Sequence, residues 1–214
     1  AMLPELRPLF SGWERADSVV LNPHKWLFTP VDCSVLYSRK PEMIRAAFSL
    51  TPEYLRTPEL GKAKNLMDYG VALGRRFRAL KLWFVMRYFG AGGLRDRIRN
   101  HCRLAAHFAD RSDGEPGWER AAPVPFCTVV FRWVGMGSGS GLADLDAVNM
   151  AIMEEANATG RVFLSHTRLR DRTFLRLAVG NLKTGAEHMA RTWDILAEAR
   201  RAVEARTAGT SLKS

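Results

Sequence analysis

Asn22-Pro23-His24-Lys25-Trp26 stands between two apolar runs, Val19-Val20-Leu21 and Ser34-Val35-Leu36-Tyr37. Both runs have the length and β-branched content of buried strands. Pro23 has no N–H to give to a ladder, so strand pairing breaks there and the Lys25 side chain projects from a strand end. A lysine removed from water sheds part of its charge and becomes a nucleophile towards carbonyls, the starting condition for a Schiff base. The same spacing also describes a surface turn with a solvated lysine.

Upstream, Pro4, Leu6, Pro8, Leu9, Phe10 and Trp13 read as a loop with a short helical turn that leads into the Val19 run. Downstream, Thr29-Pro30 punctuates the return from the lysine turn. Pro41 at a first helical position and Glu42 in the first turn open a helix that runs to Phe48. Residues 50–66 hold Pro52, Pro58 and Gly61 and no clean period, the pattern of a long loop or lid. Tyr54 lies inside it, a packing anchor unless its hydroxyl has a chemical task. Residues 75–89 predict a helix, with Phe77, Leu80, Phe84 and Tyr88 on one side and Leu82, Trp83, Val85 and Met86 widening the face. A helix this apolar is buried or faces a subunit. Gly90-Ala91-Gly92-Gly93 ends it.

A second helix carries Leu94, Ile98, Ala105 and Phe108 to Asp113-Gly114. His101 and His107 lie on it without carboxylates at ligand spacing, so no metal site is expected. Residues 116–125 read as a linker. Phe126 to Val134 predicts a strand with Cys127, Val129, Phe131 and Trp133 on one face and Arg132 on the other. Residues 135–141 are a Gly/Ser connection without the spacing of a phosphate cradle. Ala143 to Ala158 predicts a helix. Arg161 to Ser165 and Thr173 to Val179 predict strands joined through Arg170-Asp171-Arg172. Arg176, on the latter strand, suits an ion pair or a carboxylate. Thr184-Gly185-Ala186-Glu187 has the form of a capping box before a last helix striped by Met189, Trp193, Leu196 and Val203. From about residue 94 the order of elements predicts an α+β layer of helices on an antiparallel sheet.

The apolar fraction, 47% of 214 residues, is that of a globular protein. The net charge is +10, yet the basic residues are spread along helices with no block of five, so nucleic acid is not an expected partner. No apolar run is long enough to span a bilayer, so no membrane is expected either. Ala1-Met2-Leu3-Pro4-Glu5 shows no basic region before an apolar core. Cys33, Cys102 and Cys127 are widely spaced and form no Cys-x-x-Cys, which argues for reduced thiols in a cytoplasmic protein.

The lysine motif resembles that of the group II pyridoxal-phosphate-dependent amino-acid decarboxylases, the aromatic-L-amino-acid decarboxylase family. Ala16-Asp17-Ser18 before it and Asp32-Cys33-Ser34 after it are similar to that family too. So are the block Leu73-Gly74-Arg75-Arg76-Phe77-Arg78-Ala79-Leu80-Lys81-Leu82-Trp83-Phe84, and Leu169-Arg170-Asp171 with Phe174-Leu175-Arg176. The resemblance covers nearly the whole chain, in order. It implies an α/β fold-type I pyridoxal-phosphate enzyme, of which residues 1–85 are the end of the large domain. Residues 86–208 are then the small C-terminal α+β domain and 209–214 a disordered tail. It implies that pyridoxal 5'-phosphate is held covalently by Lys25, with Asn22 and His24 near its phosphate. Tyr54 matches the loop tyrosine that serves as an acid. Gly74 matches a position where a small residue goes with aromatic substrates.

The family's aspartate for the pyridine nitrogen and its ring-stacking histidine lie upstream of the lysine, and residues 1–18 resemble neither motif. A fragment, a chain completed by a second polypeptide and a degenerate relative all fit that pattern. The expected activity is decarboxylation of an L-amino acid to the amine and carbon dioxide. Its alternatives are aldehyde formation on the same scaffold and a non-catalytic chain that pairs with a full-length partner. The family's dimers imply a homodimer, or a second chain supplying the missing part.

Overall fold

The computed structural model describes residues 2–49, 64–136 and 144–211. Tyr54, and most of the loop that carries it, lie outside these residues, as does most of the Gly/Ser connection. The chain forms two compact units, Ala1–Arg95 and Asp96–Ser214.

In the first unit, short 3-10 helices at Pro4–Phe10 and Trp13–Arg15 lead into β1 (Ser18–Leu21). α1 (Pro23–Trp26) is a single turn, and β2 (Val35–Ser38) returns antiparallel to β1, from Ser18 opposite Ser38 to Leu21 opposite Val35. The strands are where the apolar runs predict them, but they are not buried. Val20 is 60% exposed and Tyr37 59%, because a two-stranded ribbon has no second layer on its outer face. α2 (Pro41–Phe48) begins with Pro41 at its first turn, where a missing N–H costs nothing.

α3 (Arg78–Gly114) is interrupted at Gly90, whose φ of 64° lies in the left-handed region that glycine tolerates. Before Gly90 the helix follows the second of its two expectations, a face left for a subunit and not one buried within the chain. Phe77 is 74% exposed, Trp83 49%, Phe84 57% and Tyr88 83%, so nothing among the described residues covers this face. The first unit extends to Arg95, past the boundary expected at residue 85. Arg95 Nε donates to the Met2 carbonyl at 3.2 Å, which ties that stretch of α3 back to the N-terminal segment.

The second unit is a four-stranded antiparallel sheet in the order β3-β4-β6-β5, covered by the rest of α3, by α4 (Leu145–Ala158) and by α5 (Ala186–Ser211). The strands are β3 (Trp118–Arg120), β4 (Thr128–Trp133), β5 (Ser165–Leu169) and β6 (Arg172–Ala178). Leu104, Phe108, Val129, Phe131, Ile152, Leu175, Trp193 and Leu196 fill the core. Phe108 meets Phe131 and Trp193 edge-on at 5.3 and 5.4 Å, the preferred aromatic geometry. Asp144 caps α4, its Oδ1 accepting from the N–H groups of Asp146 and Ala147 at 3.0 Å.

Four expectations are corrected here. β3 lies in the expected linker: three residues are too short for a period, yet Trp118 is buried opposite Trp133. Residues 161–164 are not a strand, and β5 starts at Ser165. Asn157 satisfies this segment instead: its Nδ2 donates to the Leu164 carbonyl at 2.8 Å and its Oδ1 accepts the Leu164 N–H at 2.7 Å. The capping box does not form; α5 opens with the Gly185 N–H donating to His188 Nδ1 at 3.0 Å. The backbone of α5 runs helically to Ser211, past residue 208 where a tail was expected.

Candidate functional site

The lysine turn is built from β1 and β2. Pro23 is buried and begins α1, and the Thr29 N–H closes the segment onto the Pro23 carbonyl at 3.2 Å. Asn22, His24 and Lys25 therefore come together on one turn. Asn22 Oδ1 accepts from Ser34 Oγ at 2.7 Å, which pins the first residue of the turn to the chain leading into β2. His24 is fixed against Cys33. Its backbone N–H donates to the Cys33 carbonyl at 3.3 Å, and its Nδ1 accepts the Cys33 N–H at 3.1 Å while lying 2.8 Å from the Cys33 carbonyl. A proton on Nδ1 turns that last contact into a hydrogen bond and breaks the other, so the tautomer sets the hold.

Lys25 is exposed, in place of the desolvated amine that the strand-end reading expects. Its ammonium makes no ion pair or hydrogen bond among the described residues. The result is a primary amine that reaches solvent next to an imidazole held by backbone.

Asp32 and Arg78, quoted in the sequence without a role, bind this turn to α3. Arg78 donates from Nε to Asp32 Oδ2 at 2.8 Å, and its Nη2 pairs ionically with the same oxygen at 2.8 Å. Arg76 Nη2 and Lys81 Nζ face Asp32 Oδ1 at 3.5 and 3.9 Å. The Arg78 hydrogen bond, and then Asp32's own backbone amide, hold this carboxyl down at about 2. Cys33, next along, is buried with its thiol 3.9 Å from the Arg78 carbonyl. The order Arg78, Asp32, Cys33, His24 thus runs from α3 to the lysine turn. No spacing rule reveals it; the only signal is an acid flanked in space by three bases distant in sequence.

Gly74 lies in an irregular, exposed segment between the 3-10 turn Leu66–Tyr69 and α3, and a β-carbon there meets nothing within 4 Å. The structure does not bring it to Lys25 through any hydrogen bond. Arg176, in β6, donates from Nη1 to Ser165 Oγ at 3.4 Å and forms no ion pair among the described residues. His101 is a buried core histidine, 3.1 Å from the Asn181 carbonyl, and burial pushes its pKa down. Among the described residues no three His, Cys, Asp or Glu side chains cluster to hold a metal, and no helix is long and apolar enough to cross a membrane.

Residues 1–134 match the family model described as the pyridoxal-dependent decarboxylase conserved domain. A tryptophan decarboxylase of Camptotheca acuminata is 38% identical over 91% of this chain and 39% of its own length. A phenylacetaldehyde synthase of Arabidopsis thaliana is 36% identical over 91% of this chain and 40% of its own. The crystal structure of Oryza sativa tryptophan decarboxylase with pyridoxal phosphate and tryptamine superposes with a TM-score of 0.85, at 36% identity, over 94% of this chain and 42% of that one. The chain thus spans less than half the length of the proteins it matches. Its fold is that of part of a fold-type I pyridoxal-phosphate enzyme, and the chain belongs to the pyridoxal-dependent decarboxylase family.

Proposed function

We propose that this chain is the C-terminal portion of an enzyme that converts an aromatic L-amino acid into its amine and carbon dioxide with pyridoxal 5'-phosphate. Unit Ala1–Arg95 is the end of its cofactor-binding domain and unit Asp96–Ser214 its small domain. The observation that carries the reading is the turn at Lys25, a primary amine beside a histidine fixed to the Cys33 backbone. Those residues fit the group. An amine without an ionic partner among the described residues suits an aldehyde, and Asn22 and His24 place polar atoms beside it. When bound, pyridoxal phosphate supplies an electron sink for the bond that breaks.

Lys25 holds the cofactor, and His24 and Asn22 orient it through its phosphate. Gly74 leaves room for an aromatic side chain. The Tyr54 hydroxyl delivers a proton to the substrate's α-carbon after carbon dioxide leaves. The bare face of α3 before Gly90 is where a second subunit, or the rest of a longer chain, packs. Cys33, Cys102 and Cys127 form no disulfide, which suits a reducing, cytoplasmic setting.

Borohydride reduction of the cofactor-loaded full-length enzyme, followed by peptide mapping, tests the assignment. The label is expected on the peptide that carries Lys25. Label on Lys40 or Lys62 instead would remove Lys25 from its role.

A further inference from the structure

The second unit contains a cleft of about 540 Å³ between the β5–β6 hairpin and β3. Its walls include Glu119, Arg120, Leu169, Arg170, Arg172 and Phe174. The volume is that of clefts that hold small molecules. Three arginines line it, and they differ in what they are paired with. Arg120 is matched by Asp113, whose two carboxylate oxygens accept from its Nε and Nη2 at 2.7 to 3.1 Å. Glu119 is matched by Arg132, which is 6% exposed and stacks over the Phe174 ring at 5.0 Å. The side chains of Arg170 and Arg172 are exposed and make no ion pair or hydrogen bond among the described residues. Their positive charge is the part of the cleft left uncompensated.

These two guanidiniums stand on a rigid base. Leu169 pairs with Arg172, so the β5–β6 loop is the two residues Arg170 and Asp171, at φ 49° and 60°. Positive φ at both positions is the type I′ turn that matches strand twist. Behind it lie Phe174 and Leu169, which give the cleft an apolar wall. Two guanidinium forks beside that wall match an oxyanion bidentately on one side and a flat apolar group on the other. We propose that this cleft binds a small carboxylate or phosphate carried on a flat apolar body. The assignment is independent of the role of Lys25.

Calorimetric titration of the 214-residue chain at low salt with benzoate, phenyl phosphate and inorganic phosphate tests it. One of the aromatic anions is expected to bind at least tenfold tighter than inorganic phosphate, and the tighter of the two names the headgroup. Arg170→Gln and Arg172→Gln are each expected to weaken that binding at least fivefold, and Arg191→Gln, an exposed arginine of α5, to leave it unchanged. Glutamine keeps a β-carbon at the same φ, and circular dichroism of each variant checks the fold. Equal affinity for the three anions, equal binding by all the variants, or no binding of either aromatic anion would overturn the proposal.

Discussion

Asp32 and Arg78 are joined by a hydrogen bond from Arg78 Nε and an ion-pair contact from its Nη2, both 2.8 Å from Asp32 Oδ2, that tie the segment after the lysine turn to the first turn of α3. Asp32 belongs to the segment whose next residue, Cys33, holds the imidazole of His24, so the pair bears on the turn as well as on stability. Its carboxyl titrates at about 2, below the ordinary carboxylate range, so the folded state favours the charged form. The contribution is present above the unfolded value of about 4 and is lost as pH falls through 2. Asp32→Asn is therefore expected to melt lower than the parent at pH 7, with the gap closing between pH 4 and pH 2. Thermal melts across that range check it; a gap that stays constant to pH 2 would show another cause.

His101 has the opposite character, a base held neutral by burial. Its folded pKa lies below the unfolded value of about 6.5, so protonation favours the unfolded chain. Stability is expected to fall as pH drops below 6.5, and His101→Gln to flatten that part of the profile whatever it does to stability at pH 8. A parent curve level between pH 6.5 and 5 would contradict this.

Asn149 acts as an extra strand residue. Its Oδ1 accepts the Trp133 N–H and its Nδ2 donates to the Trp133 carbonyl, both at 2.8 Å, in a fully buried position. Asn149→Leu leaves both backbone groups unpaired, and each costs about 1–3 kcal/mol. A loss of about 2–5 kcal/mol in urea unfolding is expected.

Tyr54→Phe in the full-length enzyme is expected to lower amine formation by about 10²-fold, the lower end of what a positioned acid contributes. Without that proton, dioxygen would take two electrons and two protons and leave as hydrogen peroxide. The resulting imine hydrolyses to aldehyde and ammonia. The measurement is amine against aldehyde and peroxide at equal cofactor loading. Amine at the parental rate would leave Tyr54 only a packing role.

The lysine turn, α2, the two halves of α3, α4 and the stripe of α5 were legible because each announces itself within a few residues. Pro41 marks a helix start, Gly90 a break, and Val148, Ile152 and Ala156 recur at helical steps and are buried. The order of elements was enough for the antiparallel sheet. What was not legible depends on partners remote in sequence. β3 is a strand only because Trp118 lies opposite Trp133. The Asp32–Arg78 pair spans 46 positions and leaves no period. Burial of the Val20 strand was misread for a related reason: apolar character says that a face wants cover, not that the same chain supplies it.

The bare side of α3 before Gly90 has a cellular meaning. Trp83, Phe84 and Tyr88 form the kind of greasy strip that chaperones and degradation machinery recognise on unassembled polypeptides. A chain in which that strip stays bare is therefore expected to be cleared faster than one in which a second subunit, or the rest of a longer chain, covers it.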